Sequence, residues 1–147
     1  MITVRYNLFE TNSSSVHALV IPKDQQVLIP KHVKLRSGEY GWEDAEYGDT
    51  LSYLYTACKY ERSSELPKLL NFLQSLGIEV EEEREDTHRW AYVDHGDQIP
   101  FEELFGNEEL LTRFLFGTES YIKTGNDNED CEYPEETAKV DIIWKSN

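Results

Sequence analysis

Apolar periodicity changes four times along this chain of 147 residues, and the order of the patterns limits the folds open to it. The N-terminal part reads as sheet: residues 1–6 are rich in β-formers, 16–21 resume that pattern until Pro22, and 27–29 and 32–35 are short strands separated by Pro30. The middle turns helical. Asp49 can cap a helix running to about Glu61, with Leu51, Leu54, Tyr55 and Cys58 on one stripe. Ser64 can cap a second, in which Pro67 falls in the first turn, Leu66, Leu69, Leu70 and Leu73 share a face, and Gly77 ends the run. Residues 78–83 and 89–94 then read as a hairpin turning at Asp86-Thr87. Helical spacing resumes from Pro100 to Gly117 with Asn107 as a cap, and residues 121–122 and 138–144 close the chain as strands. Strands, helices, then mixed elements without strict alternation predict an α+β fold, mainly antiparallel sheet with about three helices. With 39% hydrophobic residues, one domain over residues 1–147 has enough apolar material for a core.

Charge narrows the function classes. The chain carries 14 Lys+Arg against 29 Asp+Glu, a formal charge of −15. Residues 1–37 hold five basic and two acidic side chains, whereas 38–147 hold nine basic and 27 acidic. That balance argues against binding nucleic acid by general phosphate attraction, and against a polybasic membrane anchor. No apolar run is long enough for a spanning helix and the N-terminus lacks a signal-peptide pattern, so a cytoplasmic location, in a host cell, is expected. The acidic residues gather in three clusters: Glu39, Glu43, Asp44, Glu46 and Asp49; Glu79, Glu81, Glu82, Glu83, Glu85 and Asp86; and Asp127, Glu129, Asp130, Glu132, Glu135 and Glu136. Each alone can be a solvated surface; together on one face they would attract a basic partner rapidly and salt-dependently.

Residues 37–48 interleave the first cluster with Tyr40, Trp42 and Tyr47. Aromatics among carboxylates can anchor a protein partner or simply pin a long loop. The partner-binding set read from the sequence is therefore Tyr40, Trp42, Glu43, Asp44 and Tyr47 with Glu81, Glu82, Glu83 and Glu85. Cys58 reads as a small core residue. Cys131 lies among carboxylates that disfavour its thiolate. No cofactor and no metal site is expected: there is no CxxC pair, no P-loop, no dinucleotide fingerprint and no G-x-S-x-G, and residues 124–130 lack calcium-loop spacing.

The most unusual string is Phe9-Glu10-Thr11-Asn12-Ser13-Ser14-Ser15-Val16-His17. Asn12, Ser13, Ser14 and Ser15 offer hydroxyls and backbone N–H groups that could cradle an anion. His17 could act as acid or base, and Glu10 could orient it or, with Asp127, hold a cation. Against that, Asn and Ser are ordinary turn residues, and His17 shares a strand face with Leu19 and Ile21, the setting of a hydrogen-bonded core histidine. The string, followed by Ser120 to Asn128 (SYIKTGNDN), resembles a group of small bacteriophage and prophage proteins that share an FETNSSS-x-H start. The resemblance implies origin rather than a reaction. Small acidic phage proteins often act against host machinery, as nucleic-acid mimics before a nuclease or CRISPR effector.

Three functions follow as expectations. The first is a non-enzymatic inhibitor that engages a basic, nucleic-acid-binding host protein, with no direct contact to nucleic acid or membrane. The second is a phosphodiester- or nucleotide-processing enzyme built on Glu10, the polar loop and His17. The third is a structural phage component in which the string only shapes a turn.

Overall fold

Residues 16–21 are apolar at nearly every position because the strand they form is covered on both faces. A computed structural model describes residues 15–84, 90–126 and 138–145 of the chain. Strand β1 (Ser15–Pro22) lies inside a four-stranded antiparallel sheet, between β7 (Tyr121–Asn126) and β8 (Val140–Lys145), with β4 (Ala45–Tyr47) on the outer edge of β7. One face of β1 turns His17, Leu19 and Ile21 inward, and Leu19 and Ile21 join the main core. Ala18 and Val20 on the other face pack with Tyr121 and Val140. A fully buried Leu or Ile contributes roughly 1.5–3 kcal/mol.

Against the inward face lies a helical layer. Asp49 caps α1 (Thr50–Thr56) by accepting a hydrogen bond from the Ser52 N–H at 3.0 Å. The helix widens into a π-helical turn over Ala57–Glu61, closed by the Arg62 N–H bonding to the Ala57 carbonyl at 2.9 Å. It therefore ends where the periodicity predicted. It is also buried far beyond its apolar stripe, so Ser52 and Thr56 need partners inside. Ser52 donates to the Arg36 carbonyl and accepts from the Tyr40 hydroxyl; Thr56 donates to the Ser52 carbonyl and accepts from the Gly38 N–H. These bonds fasten the extended chain 36–40 to α1.

Helix α2 (Leu66–Ser75) carries Pro67 in its first turn, buries Leu69, Phe72 and Leu73, and ends at Gly77 with φ +80°, a left-handed angle that glycine adopts without strain. Ser64 does not cap it: a 3₁₀ turn over Ser63–Glu65 leads into the helix instead. Helices α3 (Phe101–Phe105) and α4 (Glu108–Phe116) follow, and the Asn107 side chain caps α4 by accepting from the Leu110 N–H. Arg113 on α4 ties this layer to the sheet through Asp141, whose pKa is raised by burial but held below the carboxylate range by Arg113 and Lys23. Cys58 sits in the core, and burial, with a smaller push from Glu65, drives its thiol pKa up to about 12.

The expected hairpin between 78–83 and 89–94 does not form. Strand β5 (Glu79–Glu82) runs parallel to β2 (His32–Leu35), and β6 (Tyr92–Val93) runs parallel to β3 (Glu39–Tyr40). Chain 32–40, held along α1, offers two successive hydrogen-bonding edges. Pairing with them carries Ile78 and Val93 into the same core, with Val80 packed against it. Residues 27–29 contribute only a single bridge, Val27 with Gly117, leaving Leu28 and Ile29 exposed before Pro30. The fold is thus α+β, with the antiparallel sheet dominant and two short parallel pairs beside it. Among the described residues no helix is long and apolar enough to cross a membrane.

Candidate partner-docking site

The loop between β3 and β4, residues 41–44, is held from beneath by side chains of the central sheet. His17 and Thr124 face each other across the β1–β7 ladder. His17 Nε2 donates to the Gly41 carbonyl at 3.1 Å, and the Thr124 hydroxyl donates to the Glu43 carbonyl at 2.6 Å. The other His17 nitrogen, Nδ1, lies 2.8 Å from the Tyr53 hydroxyl. The Gly41 carbonyl can only accept, so Nε2 carries a proton, and the Tyr53 hydroxyl holds the ring from its other side. Burial raises the Tyr53 pKa, so that hydroxyl keeps its proton. Lys123 adds an ion pair to Asp44. Two consecutive anchors therefore bracket Trp42.

So supported, Trp42 stands 47% exposed. Beside it Glu39, Gly41, Glu43, Tyr47 and Tyr92 are the other described residues that line a cavity of about 280 Å³. The β3–β6 pairing delivers Tyr92, since Glu39 and Tyr92 are register partners. Gly41 leaves room for that approach: a Cβ there would lie 2.5 Å from the Tyr92 hydroxyl and displace the ring. The Tyr92 pKa is raised, chiefly by desolvation and then by the charges of Asp94, Glu39 and Glu43, which keeps the phenol protonated in a negative surrounding. Chemically the site is a small depression lined by aromatic and acidic residues, a combination suited to a cation. Comparison with family models, with curated proteins and with solved structures finds no match to this chain.

The partner-binding residues read from the sequence separate here. Trp42, Glu43 and Tyr47 line the cavity and Asp44 adjoins it. Tyr40 instead belongs to the interior at 6% exposure, its hydroxyl bonded to Ser52 and its ring edge-on to Tyr47 and Tyr53. Alternation along β3 explains this: Glu39 points out, so Tyr40 points in. Glu81 lies 3.6 Å from His32 and 4.0 Å from Lys34, and Glu82 accepts from the Tyr55 hydroxyl. Glu83 is turned inward, its side chain 4% exposed. Burial works to raise its pKa, but the Ser37 N–H and hydroxyl and the Lys59 ammonium hold it down to about 2. Glu81 and Glu83 therefore sit beside bases, and Glu82 is engaged by a phenol, rather than the three forming a bare negative face.

Of the alternative enzymatic set, His17 is fully buried with both ring nitrogens engaged. Glu10, Asn12, Ser13, Ser14, Glu85, Asp127, Cys131 and the third acidic cluster lie outside the described residues, as does the side chain of Ser15. Among the described residues no group of three His, Cys, Asp or Glu side chains is placed to hold a metal ion. Sequence reasoning missed Tyr92 and named Glu39 only as a member of the first acidic cluster. The signal available for Tyr92 was the spacing of Trp90 and Tyr92, two aromatics at strand period in a polar stretch; Trp90 is 68% exposed.

Proposed function

We propose that the protein is an acidic binding protein, phage- or prophage-encoded, that occupies a basic surface of a nucleic-acid-binding host protein and so inhibits it, an anti-defence role of the anti-CRISPR kind. The observation that carries the reading is the Trp42 depression: an exposed tryptophan held rigid between two anchored carbonyls and rimmed by Glu39 and Glu43. Nucleic-acid-binding surfaces present Lys and Arg, which aromatic faces and carboxylates attract together. The formal charge of −15 adds a long-range field that speeds encounter with such a surface. The resemblance of FETNSSSVH to phage proteins supports the origin, and the host cytoplasm follows from it.

The test is capture from bacterial lysate on immobilised protein, washed at low and at high salt. A basic nucleic-acid-binding protein is expected to be retained at low salt and released at high salt, with its RNA intact. Trp42→Ala should weaken that complex roughly 30-fold, the loss of an interfacial anchor worth about 2 kcal/mol. Retention indifferent to salt, or degradation of RNA by the purified protein, would overturn the reading.

A further inference from the structure

Resting on that reading, we infer that the depression between Trp42 and Tyr92 is a one-residue pocket for the guanidinium group of an arginine side chain on the partner. Its dimensions set the first limit. A cavity of about 280 Å³ is at the small end of ligand sites, right for a side-chain head and too small for a helix or strand. Its lining sets the second. Among the described residues Trp42, Tyr47 and Tyr92 line the space together with Glu39 and Glu43, which favours an occupant that combines positive charge with surface that tolerates contact with rings.

Guanidinium meets both demands better than ammonium does. It is planar, so it stacks on an indole or phenol face, and weakly hydrated, so that face strips little water from it. Its five N–H donors point outward in the plane of the group, where Glu43 and the Tyr92 hydroxyl supply oxygen acceptors. Lysine presents a compact, strongly hydrated charge that gains less from aromatic neighbours. The pocket is also formed before any partner arrives. His17 and Thr124 fix the backbone on either side of Trp42, and the missing side chain at Gly41 leaves room for Tyr92.

The experiment is a titration of the whole protein, followed by NMR at the Trp42 indole N–H, with three probes: N-acetyl-arginine amide, N-acetyl-lysine amide and tetramethylammonium. The arginine probe should shift that resonance saturably and bind at least several-fold more tightly than the other two. Trp42→Ala and the double variant Glu39→Gln/Glu43→Gln, both changing exposed side chains, should each weaken its binding roughly tenfold. Equal affinity for arginine and lysine, stronger binding of tetramethylammonium, or arginine binding unchanged in both variants would overturn the assignment. Its failure is separable from failure of the docking role. If a basic protein is still captured in a salt-dependent way while the arginine probe leaves Trp42 unmoved, the pocket assignment falls and the docking role stands. If the probe binds at Trp42 and no basic protein is captured, the docking role falls alone.

Discussion

The acidic segment 39–49 and the acidic segment 79–83 look alike as sequence, and the fold treats them in opposite ways. In the first, Lys123 pairs with Asp44, but Glu39 and Glu43 are lifted onto a loop where they share a cavity with exposed aromatic rings. The second is a strand laid parallel to His32–Leu35, so Glu81 meets His32 and Lys34, and Glu83 is drawn under Ser37 and Lys59. Carboxylate density thus says little about where a partner will bind. What matters is whether the neighbouring strand brings bases or aromatics to the same place.

The contrast breaks first at the supports of the loop. Replacing His17 with Ala removes a buried ring, leaves a cavity, and strands the Tyr53 hydroxyl and the Gly41 carbonyl. The expected cost is about 4 kcal/mol of stability in urea unfolding, together with weakened partner binding because Trp42 loses its lower anchor. A stable His17→Ala variant that still binds would show that the loop stands without the sheet.

The second segment is tested by acid. Glu83 has its pKa held at about 2 against a usual 4.5, so its ion pair and hydrogen bonds stabilise the native state fully above pH 4.5. That stability declines as the pH falls from 4.5 towards 2, about 3 kcal/mol in all. Unfolding free energy measured across this range should drop steeply in the native sequence and less steeply in Glu83→Gln. Identical acid limbs would mean Glu83 is not the inward group of its cluster.

The smallest effect sharpens the comparison most. Glu81→Gln, an exposed ion pair, should change stability by no more than about 0.5 kcal/mol and leave the lifetime of a partner complex unaltered. Glu43→Gln is equally harmless to folding but should shorten that lifetime. Equal effects on dissociation would place the two acidic segments in one interface.

Much of the fold was legible because its signals are local. Asp49 and Asn107 cap helices through their own side chains, Gly77 and Gly117 follow helix ends, and the alternation of β1 puts His17 with Leu19 and Ile21. Strand partners are not local. Residues 78–83 and 89–94 announce extended chain, but the choice between pairing with each other and pairing with 32–40 depends on α1 holding the latter in place. The same gap hid half of the candidate site. Trp42 and Glu43 could be nominated from their neighbours, whereas Tyr92 reaches them only through the β3–β6 register, and the inward turns of Tyr40 and Glu83 follow from pleat and packing.

Because the Gly41 and Glu43 carbonyls hang from the two inner strands of the sheet, residues 41–43 are not free to open on their own. Letting go of them strips two fully buried side chains, His17 and Thr124, of their partners, so opening the loop costs more than the fraying of an unanchored turn. The ordering entropy of this loop is spent during folding, and a partner meets a surface that has little freedom left to lose.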